Sequence, residues 1–80
     1  MNVKEVIEKI KPIFREVFED TELNISKDSN SDNIDGWDSL NHILLVVGIE
    51  KKMNVKFTSG EISSYKNVGE MCEAISKKLN

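Results

Sequence analysis

Leu40-Asn41-His42-Ile43-Leu44-Leu45-Val46-Val47-Gly48-Ile49-Glu50-Lys51-Lys52-Met53 has the length and the residue types of a helix, but its apolar side chains do not share one side of it. Stepped at about 100° per residue, Leu45, Val46, Ile49 and Met53 gather on one face. Leu40, Leu44 and Val47 gather on nearly the opposite face, with Ile43 between the two groups. A helix apolar on two sides is either buried all round or offers one stripe to a partner. In a chain of 80 residues the core is thin, because most apolar side chains are needed to offset chain entropy, so full burial is hard to reach. The second stripe begins beside Ser39. Asp38 is the natural cap of this helix, which leaves Ser39 where free backbone N–H groups and the positive end of the dipole favour a bound phosphate. For an isolated Asp-Ser pair, a first-turn serine that merely supports the cap is the plainer reading.

Upstream, Val3, Val6, Ile7, Ile10, Ile13, Phe14, Val17 and Phe18 keep helical spacing, and Asn2 with Glu5 has the spacing of a capping box, predicting a first helix over residues 3–19. Pro12 lies inside it, where the missing N–H and the ring predict a kink rather than a break, since the apolar stripe runs on past it. Residues 20–37 are rich in Asp, Asn and Ser and carry no sustained periodicity. They read as a long loop pinned by Leu23, Ile25 and Ile34, and loops of this length usually have a purpose. Thr58 with Glu61 and Asn67 with Glu70 repeat the capping spacing, predicting a short third helix and a longer fourth. The fourth carries Val68, Met71, Cys72, Ile75 and Leu79 on one stripe, with Lys77 and Lys78 suiting its negative end. The fold class expected is all-α, four helices in one domain over residues 1–80.

Composition narrows the function. The net charge of −3 is unevenly spread: residues 20–38 hold six acids against Lys27, whereas residues 51–80 hold six lysines and three glutamates. An acidic segment repels nucleic-acid phosphates and attracts basic protein surfaces, which argues against a nucleic-acid partner; a merely solvated loop is the common alternative. No apolar run is long enough for a signal peptide or membrane span, so a cytoplasmic monomer without membrane insertion is expected. Cys72 is the single cysteine, which rules out an intramolecular disulfide and a cysteine metal cluster, and its spacing is that of a core residue. A domain this small leaves little room for a deep catalytic cleft.

Gly36-Trp37-Asp38-Ser39-Leu40, at the head of the second of four helices, resembles the phosphopantetheine site of acyl carrier proteins. Residues 57–62 and Val68-Gly69-Glu70-Met71 are similar to that family's short third helix and the start of its fourth. The resemblance spans nearly the whole chain and implies a four-helix acyl-carrier bundle that is not itself an enzyme. It implies that a phosphopantetheinyl transferase joins 4'-phosphopantetheine from coenzyme A to Ser39, between Asp38 and Leu40. The arm would carry acyl intermediates as thioesters to acyl-loading and acyl-processing enzymes at high local concentration. By the same resemblance, Asp35 and Asp38 meet basic docking surfaces, Trp37, Leu40, Leu44 and Val47 complete the docking face, and the opposite stripe lines the core and any acyl tunnel. The chain departs from the housekeeping fatty-acid pattern, which has acidic residues along helix two where Asn41, Leu44 and Val47 stand here, and a small residue where Trp37 stands. That departure favours a specialised pathway, with polyketide, modified acyl or aminoacyl and peptidyl cargo all open.

Three rival readings use the same residues. Asp28, Asn30 and Asp32 fit positions one, three and five of a calcium loop, but Asn33 stands where glycine is needed and Ser39 where a bidentate glutamate belongs, so no metal site is expected. Ser39 with His42 has the spacing of a nucleophile and base, yet the nucleophile elbow, a third orienting group and an oxyanion site are missing, and a lone helix histidine is more often structural. An unmodified interaction module using Leu40, Leu44 and Val47 is the strongest rival.

Overall fold

The computed structural model describes residues 1–79, which form α1 (Val3–Val17), α2 (Ser39–Met53), α3 (Ser59–Ser64) and α4 (Val68–Leu79), with no strand among them. The all-α expectation holds, including the long connection between α1 and α2. In α1, the Asn2 side chain accepts the Glu5 N–H at 2.9 Å and Glu5 Oε1 accepts the Asn2 N–H at 3.1 Å, completing the capping box. The helix continues through Pro12 and ends at Phe18. It stops slightly short of the expected residue 19, where Glu19 turns to a φ of +52°. Val6, Ile10 and Phe14 are fully buried, one residue per turn.

α1 is the hub, packing broadly against both α2 and α4. Leu45, Val46, Ile49 and Met53 from α2 and Val68, Met71, Cys72 and Ile75 from α4 complete the buried core. Leu79, expected on the same stripe, is 37% exposed in the last turn of α4. Burial pushes the Cys72 thiol up to about 12, so it is an inert core group as its spacing suggested.

The long loop is held down rather than loose. Leu23, Ile25 and Ile34 pack on the core as expected, and Asx and serine turns organise the remainder: the Asn30 side chain accepts the Asp32 N–H at 2.8 Å and Ser29 Oγ accepts the Ser26 N–H at 2.9 Å. The loop also caps α4, since the carbonyls of Ser29 and Lys27 accept the N–H groups of Val68 and Gly69, both at 2.8 Å. That approach needs glycine: a β-carbon at residue 69 would stand 2.8 Å from the Lys27 carbonyl oxygen. The Asn67 side chain takes the Glu70 N–H at 2.9 Å, while Glu70 reaches back to the Lys66 N–H at 3.1 Å, one residue earlier than a capping box requires. The side-chain oxygens of Ser29, Asn30 and Asn33 are thus spent on turns, and no group of three or more His, Cys, Asp or Glu side chains placed to hold a metal ion gathers among the described residues. Nor is any helix there long and apolar enough to cross a membrane.

Adjacent leucines on α2 test this arrangement. Leu45 is fully buried and Leu44 is 49% exposed, so Leu45→Ala should cost about 2–5 kcal/mol in urea unfolding and Leu44→Ala no more than about 0.5 kcal/mol.

Candidate functional site

The site is built around the first turn of α2. The chain reaches it through Gly36, whose φ of +84° is open to glycine at little cost. Asp38 then adopts extended backbone, caps the helix by accepting the Asn41 N–H at 2.8 Å, and its carbonyl accepts the His42 N–H at 2.9 Å. Asn41 returns the tie by donating from Nδ2 to the Gly36 carbonyl at 2.7 Å. These bonds fix the approach segment to the helix from both sides, and sequence reading found only the Asp38 part of them.

Ser39 is the first helical residue and is exposed. Among the described residues no hydrogen bond engages its hydroxyl, and the N–H groups of Ser39 and Leu40 have no acceptor. A free hydroxyl beside two free amides at a helix N-terminus suits the linkage of a phosphodiester: the oxygen is open to reaction, and the amides and dipole favour the resulting negative charge. The residues present therefore fit a covalent phosphopantetheine.

From Ser39 the exposed stripe runs along α2 as expected. Leu40 is 65% exposed, Ile43 57% and Val47 42%, which is much apolar surface for one short helix. Leu44 also borders a hollow between α1 and α2 that is lined as well by Glu16, Glu19, Lys51 and Lys52. Asp35 and Asp38 are exposed at the other end of the stripe.

Trp37 differs from its neighbours in being half-buried. Its ring meets Phe14 edge-on at 5.5 Å and Phe18 at 5.9 Å, so most of it anchors the loop to α1 and one edge lines the cleft beside Ser39. Its indole N–H donates to His42 Nδ1 at 3.1 Å, with the two rings stacked at 6.0 Å. Because an indole N–H only donates, Nδ1 of His42 must be the acceptor and the ring proton sits on Nε2, from which it reaches the Ile62 carbonyl in α3 at 3.2 Å. His42 is thus a bridge between α2 and α3. With both nitrogens engaged, it has none free to act as base for Ser39.

α3 has its own cap, with Thr58 Oγ1 accepting the Glu61 N–H at 3.1 Å and Glu61 accepting the Thr58 N–H at 2.9 Å. Lys78 of α4 pairs with Glu61 at 2.9 Å and lies 5.6 Å over the Phe57 ring. The Thr58 backbone bond, followed by Lys78, holds the Glu61 carboxyl below its ordinary range. Between α2, α3 and the loop lies an open cleft of ≈ 480 Å³ that includes Ser39, Trp37 and His42 in its wall. Tyr65 also lines it. The Tyr65 hydroxyl is buried with no hydrogen-bond partner among the described residues, and desolvation, then the Glu61 charge, pushes it up.

A sequence profile described as a phosphopantetheine attachment site matches residues 8–75. A protein of Guillardia theta named acyl carrier protein is 30% identical over 79 residues, covering 99% of this chain and 98% of that protein. The solution NMR structure of a holo acyl carrier protein from Geobacter metallireducens superposes with a TM-score of 0.85 and 38% identity, over 92% of this chain and 85% of that one.

Removing the cap should loosen the site without dissolving the core. Asp38→Ala is expected to cost about 0.5–2 kcal/mol in urea unfolding followed by the emission of Trp37, the single tryptophan.

Proposed function

The chain belongs to the acyl carrier protein family, marked by its phosphopantetheine attachment site, and from that premise we propose that Ser39 is the residue to which the arm is joined. Membership makes the protein a carrier on which other enzymes act, and its cofactor is a covalent 4'-phosphopantetheine. The observation that carries the Ser39 assignment is its exposed, uncommitted hydroxyl at the start of a capped helix, beside two amides without acceptors. When bound, the arm supplies a terminal thiol on which acyl groups are held as thioesters.

The chain's own residues orient and recognise. Asp38 and Asn41 hold the Ser39 backbone in place, and the Ser39 and Leu40 amides favour the phosphodiester charge. Asp35 and Asp38 provide negative charge for the basic surfaces of the transferase and acyl-processing enzymes, which speeds encounter and sets orientation. Leu40, Leu44 and Val47 provide the apolar contact that α2 otherwise exposes to water. An apolar stripe in place of acidic residues favours partners of a specialised biosynthetic pathway over general fatty-acid synthesis. The working unit in this reading is one cytoplasmic, monomeric domain over residues 1–80, with Trp37 contributing to docking only through its exposed edge.

Incubation of the folded apo protein with coenzyme A and a broad-specificity phosphopantetheinyl transferase should add one arm by intact mass, and Ser39→Ala should add none. Equal modification of Ser39→Ala, or no mass gain with several such transferases, would overturn the assignment.

A further inference from the structure

We propose that the hollow between α1 and α2 is a second docking groove, fitted to an amphipathic helix of a partner enzyme whose apolar seam runs between a basic flank and an acidic flank. The inference rests on the docking reading of α2 and deepens it by naming the partner's chemistry at the end of α2 far from Ser39.

The floor of the hollow is apolar, made by Ile13 and Val17 of α1 with Leu44 and Gly48 of α2. None of the four is withdrawn from water: Ile13, Val17 and Gly48 are half-buried and Leu44 is 49% exposed. Gly48 lets the two helices meet along this floor, since a β-carbon there would stand 2.9 Å from Ile13 Cγ2.

The two sides of the hollow differ in sign. Glu16 and Glu19 line it from the α1 side, Lys51 and Lys52 from the α2 side, and all four are exposed. They do not pair with one another, because the ion pairs among the described residues are Lys11–Glu8 and Lys78–Glu61. The lysines suit the negative end of the α2 dipole, but Glu16 stands in the last turn of α1, where the dipole disfavours an acid. Its placement serves something other than its own helix.

An occupant of this groove offers apolar groups to the floor, cations to the α1 side and anions to the α2 side. A helix can do all three, because residues three and four apart form a seam and the positions beside them flank it on either hand. A strand sets its side chains on two opposite faces only. Charges on such flanks set partner choice and orientation more than affinity. Lys51 lies roughly 18 Å along α2 from Ser39, so a partner held here leaves the serine uncovered.

The test titrates the isotopically labelled apo protein with three hydrocarbon-stapled helical peptides that share one leucine seam. One carries arginine on one flank and glutamate on the other, one arginine on both, and one glutamate on both. Amide shifts report site and affinity together. The mixed peptide is expected to bind about fivefold tighter than either other at low salt, a margin that narrows as salt rises, and to shift Val17, Leu44 and Gly48. With Lys51→Glu and Lys52→Glu together, preference should pass to the all-arginine peptide. With Glu16→Lys and Glu19→Lys together, it should pass to the all-glutamate peptide. The milder pair Lys51→Gln and Lys52→Gln should erase the margin over the all-arginine peptide, and melting curves establish beforehand that each variant is folded. Equal affinities, no binding of the mixed peptide, or preferences indifferent to these changes would overturn the proposal. Shifts confined to Leu40, Ile43 and Val47 would also overturn it while leaving the docking stripe in place. Binding to the apo protein needs no arm, so the outcome is independent of the Ser39 assignment.

Discussion

The rotation of α2 about its own axis decides what the molecule shows to its surroundings, and that rotation is set by Leu45, Ile49 and Met53 packing into the core that α1 organises with Val6, Ile10 and Phe14. Because the helix is apolar on two sides, burying one group turns the other outward, and Leu40, Leu44 and Val47 follow Ser39 along the exposed face. The core thus serves the site directly: the residues that stabilise the domain also aim the serine and the stripe behind it. Turning the helix to bury the stripe instead would expose Leu45, Ile49 and Met53 and misdirect the hydroxyl.

α3 is a different kind of element. It contributes no fully buried side chain and is held mainly by polar ties, His42 from α2 and Lys78 from α4, with its own capping box between Thr58 and Glu61. Ties of this kind fix position more than they add stability, since exposed ion pairs and single hydrogen bonds contribute little net free energy. The cleft beside Ser39 therefore has one rigid wall, α2, and one wall whose place depends on a few polar contacts.

Much of this was legible along the chain. The helical stripes of α1 and α4, the caps at Asn2, Asp38 and Thr58, and the two faces of α2 follow from local spacing, which is where periodicity and capping chemistry operate. Pro12 was ambiguous because its local cost competes with a tertiary gain, and packing of Ile10 and Phe14 on either side carries the helix through it. What local spacing could not show was pairing across distance. Nothing near His42 points to a carbonyl twenty residues later, nothing near Trp37 points to Phe14, and Lys78 looked only like a charge at a helix end. Gly69 likewise reads as an ordinary helix glycine until the Lys27 carbonyl is seen against it. The Ser39 neighbourhood was found by its resemblance to a family, and the free hydroxyl and amides give that resemblance a physical basis.

In the proposed reading Ser39 and the exposed stripe of α2 meet the same partner surface, with the core face withheld. The most direct measurement is an amide chemical-shift titration of the isotopically labelled protein with a phosphopantetheinyl transferase. The account predicts that the largest perturbations fall on Asp35, Ser39, Leu40, Leu44 and Val47, with Ile10, Phe14 and Ile75 unmoved. A footprint centred on α1 and α4 that leaves the Ser39 to Val47 face unchanged would contradict it.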